Sequence, residues 1–292
     1  MVTKKFIQGD CISVLSNTSE VFNLILTDPP YNIGWNYSDK VNDRKVNYCE
    51  WCLEWAELCI SRLKESGVLA IINYSENNNL LYADLIRKGY NFVQELIWYY
   101  PTNVGQSIKR YTRNFRTIII FSKSKEYTFN AEKQEYKNPN DKRIKERIKN
   151  GFAPNHYSTF EFNLCKNVSM DKKRNGINQL PRDLVEMLIK TYSNKGDYIC
   201  DPFVGNWTII DISEELDRNS LGIDINDYKS CATKRGVSEL KLSKAQSPNT
   251  NLKEFANTDS QISSNDETSL NNHIQGLTPK FPRSFVGKEK LK

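Results

Sequence analysis

A strand-like apolar run, Phe22-Asn23-Leu24-Ile25-Leu26-Thr27, leads without a spacer into Asp28-Pro29-Pro30-Tyr31. Proline donates no ladder hydrogen bond. Two in succession cannot continue a central strand, so the chain must leave its sheet there. The turn that results carries a carboxylate and a phenol, placed where a strand ends.

The same logic recurs along the chain. Apolar runs at 68–73, 92–99, 117–121, 198–200 and 221–224 read as strands, and the end of another falls at 6–10. Helical spacing over 11–15, 48–64, 79–88, 184–192, 208–216 and from 228 onward separates them, with Gly67 and Gly89 as stop signals. Strands alternating with helices predict an α/β fold built on a mostly parallel sheet, with helices on both faces. Residues 123–174 lose this regularity, being basic and rich in Asn. Beyond 242 the composition turns polar, with few large apolar residues, and reads as a disordered tail.

The 292 residues allow one large domain or two small ones at roughly 150 residues each. No run of 18 apolar residues exists, and the N-terminus lacks a signal-peptide pattern, so a cytoplasmic protein without a membrane partner is expected. Seven scattered cysteines fit reduced, buried thiols. With two histidines and a single C-x-x-C (Cys49, Cys52) on a helical stretch, no metal site is expected. Net charge is +6, but residues 105–175 hold 17 Lys and Arg against 7 Asp and Glu, leaving −4 on the remainder. Such a segment suits a polyanion; a solvated surface loop is the alternative.

Open α/β sheets bind ligands at the carboxyl ends of their strands. Four such ends here carry acids: Asp10, Asp28, Asp201 and Asp224. Asp201-Pro202-Phe203-Val204-Gly205 followed by Asp224 offers a glycine turn, a helix N-terminus and then an acid about 20 residues on, as a nucleoside cofactor needs. The competing reading is an ordinary βαβ unit in which Asp224 caps a helix. Asp-Pro-Pro-Tyr offers a carboxylate, a carbonyl fixed between prolines and an aromatic face. A nucleobase amine, whose lone pair is delocalised into the ring, needs acceptors for its N–H groups before it can attack. Tyr31 is positioned in sequence to stack on a base outside the duplex, worth ~1–3 kcal/mol against a few for unstacking. The bland reading is a capped turn.

At these residues the sequence resembles the S-adenosylmethionine-dependent amino-methyltransferases of DNA, in the motif order of their β class. The resemblance spans roughly residues 5–237. It implies a Rossmann-like methyltransferase sheet with an inserted irregular recognition region. Residues 1–122 would then be the catalytic half, 123–177 the target-recognition region, 178–241 the cofactor-binding half and 242–292 the tail. By position, Asp28, Pro29, Pro30 and Tyr31 match the catalytic motif. Asp201, Phe203, Gly205 and Thr208 match the cofactor motif, Asp224 the ribose-binding acid, and Asp10 an acid near the cofactor's adenine. The implied activity is methylation of N6 of adenine in double-stranded DNA, within a restriction–modification system. N4 of cytosine and RNA are alternatives. A cognate endonuclease is an allowed partner, and monomer and homodimer both stay open. Lys109, Arg110, Arg113 and Arg116, and the cations of 142–149, are expected to contact phosphates.

Two positions depart from the family pattern. Trp207 stands where a second glycine is usual, and Leu180 where a lysine is usual. Both lie on the cofactor side. A bulky indole at 207 would block the cofactor or stack beside it. A cofactor-impaired DNA-binding relative is therefore the competing class.

Overall fold

A computed structural model describes residues 2–34, 36–38, 41–102, 108–130, 132–165, 179–228, 234 and 236–239. The tail from 242, most of the helix expected from 228, and residues 166–178 lie outside the described residues.

The strands are β1 (Lys4–Gln8), β2 (Phe22–Thr27), β3 (Asn36–Ser38), β4 (Val41–Asn42), β5 (Leu63–Asn73), β6 (Asn91–Tyr99), β7 (Phe115–Ser122), β8 (Thr159–Glu161), β9 (Tyr198–Asp201), β10 (Asn219–Asp224) and β11 (Ser238–Glu239). The helices are α1 (Cys11–Asn17), α2 (Tyr48–Ser61), α3 (Ser75–Arg87), α4 (Lys142–Lys149), α5 (Arg182–Tyr192) and α6 (Thr208–Glu215). Nine strands form one sheet in the order β11-β1-β10-β9-β2-β5-β7-β6-β8, while β3 and β4 pair separately. Within the large sheet, pairings are parallel except those of β7 with β5 and β6. No described helix is long and apolar enough to cross a membrane.

Alternation along each strand builds a core on either face. Ile25, Leu69, Ile71, Ile119 and Phe121 meet the buried stripes of α1, α2 and α3. Leu24, Leu26, Val68, Ala70, Ile72, Ile118 and Ile120 meet α5 and α6. Both sides of the central strands are thus covered, which is why they read as continuous apolar runs. Each fully buried Leu, Ile or Val contributes about 1.5–3 kcal/mol.

Two expectations need correction. The helix expected over 48–64 ends at Ser61, and Leu63 already belongs to β5. Gly67 is not a helix stop but sits inside β5, where an added Cβ would come 2.9 Å from the Phe22 carbonyl oxygen and 2.8 Å from that of Lys64. The register of β5 against β2 shifts at this point, from Phe22–Leu63 to Leu24–Val68. Second, the irregular basic segment holds α4, capped by the Asp141 carboxylate on Arg143 N at 2.9 Å, and β8, which extends the main sheet along β6.

The carboxyl ends of β1, β10, β9 and β2 share one edge because these strands are parallel neighbours. Strand order reverses between β9 and β2: from β9 the chain crosses to β10, and from β2 to β5. Such a switch point opens a crevice between the departing turns.

Candidate active site

The turns at 28–31 and 201–205 leave adjacent strands, β2 and β9, and line one cleft of about 250 Å3. Asp10 and Asp224 line it as well. All four strand-end acids picked out in the sequence therefore converge.

In the first turn the prolines force the chain out of the sheet, and hydrogen bonds then anchor its backbone. The Pro30 carbonyl accepts from the Tyr48 hydroxyl at 2.6 Å, and the Tyr31 carbonyl accepts from Asn77 Nδ2 at 3.1 Å. No described residue donates to the Pro29 carbonyl. That oxygen and the Asp28 carboxylate are the acceptors the turn leaves to a ligand. The Tyr31 hydroxyl donates to Asp28 Oδ1. Its ring is buried, 4.7 Å from that of Tyr74 and 4.8 Å from the Arg116 guanidinium carbon. Tyr31 lines the cleft, and its hydroxyl orients Asp28. Burial raises the Asp28 pKa, and Arg116 and the Tyr31 hydroxyl oppose that rise.

The second turn is organised by buried acid chemistry. Asp201 Oδ1 accepts from Thr27 Oγ1 at 3.2 Å and from Phe203 N at 3.1 Å. Burial pushes its pKa up to about 8. Asp224 Oδ2 accepts from Gly205 N at 3.0 Å, while Oδ1 accepts from Asn226 N at 2.9 Å. Gly205 adopts φ +42°, in the region that favours glycine. Phe203 packs edge-on against Trp51 and Trp55. Thr208 opens α6 in the cleft wall, and its buried hydroxyl has no hydrogen-bond partner among the described residues. Asp10 caps α1, accepting from Ser13 N at 3.1 Å.

Trp207 neither blocks the cleft nor stacks in it. It adopts a left-handed φ of +68° and is fully buried with Phe6, Val204, Ile210 and Val237. Gly205, Asn206 and Thr208 line the cleft and Trp207 does not. The backbone keeps the conformation a glycine would take, and the indole packs into a separate apolar cluster. Leu180 lines the cleft while packing in the core with α5.

The four expected phosphate contacts divide. Lys109 and Arg110 are exposed. Arg113 pairs with Glu76 and lies over the Tyr74 ring at 4.2 Å. Arg116 is 7% exposed and lines the cleft, so it is not a surface cation. Its partners come from three separate elements, which hid its burial from a local reading. Tyr74, Asp43 and Lys45 also line the cleft and were not anticipated. The strand-end rule that singles out Asp28 applies equally to Tyr74, next after the end of β5.

A model of the DNA methylase family that covers N6 and N4 enzymes matches residues 22–234. Type II methyltransferase M.HpaI of Haemophilus parainfluenzae is 32% identical over 81% of this chain and 75% of its own length. DNA adenine methyltransferase YhdJ of Escherichia coli is 30% identical over 76% of this chain and 79% of its own. Among solved structures, the cytosine-N4-specific PvuII DNA methyltransferase aligns with a TM-score of 0.60 at 16% identity, over 94% of both chains. The M1.HpyAVI–SAM complex aligns with a TM-score of 0.55 at 20% identity, over 80% of this chain and all of the other. These two likenesses concern the fold.

Proposed function

The chain belongs to the N6/N4 DNA methylase family, and from that premise we propose that it transfers a methyl group from S-adenosylmethionine to N6 of adenine in double-stranded DNA. The observation that carries this reading is the meeting of the turns at 28–31 and 201–205 across one cleft. Adenine is favoured by the Asp-Pro-Pro-Tyr form of the first turn and by 30% identity to a DNA adenine methyltransferase.

The cofactor fits the turn at 201–205. The Gly205 backbone is free of a side chain, the Thr208 hydroxyl is buried without a partner among the described residues, and the indole of Trp207 is turned away. Asp224 would take ribose hydroxyls, Phe203 would border the ligand, and Asp10 would lie toward its base. When bound, the cofactor supplies a methyl already activated on a sulfonium, which departs as a neutral thioether. At the other turn, Asp28 and the Pro29 carbonyl would accept the two N–H groups of the target amine. Nitrogen then tends toward tetrahedral geometry, and its lone pair is free to attack in line. Asp28 or water takes the proton that nitrogen releases.

The cofactor-impaired alternative drew on Trp207, and the position of that indole removes its chief support. M.HpaI and M1.MboII are both type II methyltransferases. That kinship supports a role as the protective half of a restriction–modification pair. Residues 123–177 serve as the recognition region in this reading, with the exposed cations of α4, Lys109 and Arg110 on phosphates.

Sequencing for modified bases in DNA from cells expressing the chain tests the proposal. It predicts N6-methyladenine within one short sequence motif. N4-methylcytosine alone would correct the base, and unmodified DNA would reject the activity.

A further inference from the structure

Arg116 stands on β7 opposite Trp98 of β6, one residue from the pair formed by Thr117 with Asn73 at the end of β5. A guanidinium buried this deeply is costly unless opposite charge and ring faces surround it. Its carbon lies 4.8 Å from the Tyr31 ring centroid, 5.0 Å from that of Trp98 and 5.7 Å from that of Tyr74. Its Nε has no hydrogen-bond partner among the described residues. Tyr31, Asp28, Tyr100 and Tyr74 are the groups that act on it electrostatically; Asp28 is the one carboxylate among them, lines the same cleft, and accepts from the hydroxyl of the Tyr31 ring on which Arg116 packs.

Resting on the function proposed above, we propose that Arg116 is a positioning residue of the transfer site: its guanidinium, packed among the rings of Tyr31, Tyr74 and Trp98, supplies the buried counter-charge that keeps Asp28 an acceptor for the target amine.

The groups around Asp28 show why a counter-charge is needed. Tyr31 donates from the same turn. Asp201 at the end of β9 and Asp224 at the end of β10 line the same cleft. Asp43 and Lys45, from the segment after the turn, line the same cleft. Burial favours a neutral Asp28, and Arg116 and the Tyr31 hydroxyl oppose it. A protonated Asp28 would have lost acceptor capacity, yet it must accept from both Tyr31 and the amine. The planar group also bears on the Tyr31 ring, so one side chain supports the carboxylate and the phenol that orients it.

The test uses the full chain labelled with 13C at aspartate carboxyls, without DNA or cofactor. The Asp28 resonance is identified by its loss in Asp28→Asn and titrated in wild type, Arg116→Met and Arg116→Lys. The Asp28 midpoint should rise by about one pH unit or more in Arg116→Met, a tenfold change in proton affinity. It should return to near the wild-type value in Arg116→Lys. The acid limb of methyl transfer should move with it. An unmoved midpoint in folded Arg116→Met overturns the proposal. Where that variant does not fold, Arg116→Gln, which keeps a polar planar group but removes the charge, decides: a raised midpoint supports the coupling and an unmoved one overturns it. A midpoint shift with no methyl transfer by wild type overturns the function proposed above but supports the Arg116–Asp28 coupling. Normal transfer with no shift overturns the coupling alone.

Discussion

The indole of Trp207 packs on the ring of Phe6, centroids 5.1 Å apart, linking the turn before α6 to strand β1. Trp207 holds a left-handed backbone there, which costs roughly 1–2 kcal/mol for a residue with a Cβ. Burying the indole returns more than that, about 3–5 kcal/mol by analogy with large-to-small core changes. Trp207→Gly should therefore lose roughly 2 kcal/mol of stability in urea unfolding. Calorimetric affinity for S-adenosylmethionine should stay within about threefold of wild type, because the indole is not part of the cleft wall. A large loss of affinity without loss of stability would show that the indole does reach the ligand.

Asp224 accepts from Gly205 N and Asn226 N and would hold the ribose. Losing hydrogen bonds to a charged acceptor costs about 1.5–3 kcal/mol. Asp224→Ala should weaken S-adenosylmethionine binding by about tenfold or more, read by titration calorimetry. Unchanged affinity would remove Asp224 from the cofactor site.

Asp201 gives a pH signature. Its pKa rises from an ordinary 3.8 to about 8 on folding, through burial. Below the unfolded value both states are protonated and the contribution is full. Between the two values the native state holds a proton that the unfolded chain has lost, so stability falls as pH rises toward 8. The slope approaches one proton, about 1.4 kcal/mol per pH unit. Asp201→Asn should lack this component, so its unfolding free energy should decline less steeply from pH 5 to pH 8 than that of wild type. Parallel declines would mean that Asp201 ionises normally.

Lys109 and Arg110 are exposed, whereas Arg116 is buried. Replacing the exposed pair with alanine should lower the slope of log affinity for DNA against log salt by about two, near 0.9 per phosphate contact. Arg116→Lys should leave that slope alone. Fluorescence anisotropy across a salt series reads both.

Most of the architecture was legible because its signals are local. Strand β2 shows the full buried run of Phe22–Thr27 and stops where proline forbids a ladder bond. The four strand-end acids emerged from the same rule. What escaped depends on distant partners. Leu63 continues the helical spacing of Cys59, yet pairs with Phe22 as the start of β5. Strand β8 is three residues long and pairs with β6 at the sheet's edge. Arg116 looks like a surface cation until Tyr31, Tyr74 and Trp98 close around it. Trp207 shows how a family glycine can be replaced: the backbone angle is kept, and the side chain finds a pocket that no local pattern announces.

The central claim is that Asp28 receives a DNA amine opposite a cofactor held at the turn of 201–205. The direct measurement is transfer of a labelled methyl group from S-adenosylmethionine to DNA by purified wild type and Asp28→Ala, with DNA binding monitored in parallel. Wild type should place the label on N6 of adenine. Asp28→Ala should lose at least about a hundredfold in rate while binding DNA as before. Near-normal transfer by Asp28→Ala would contradict the account.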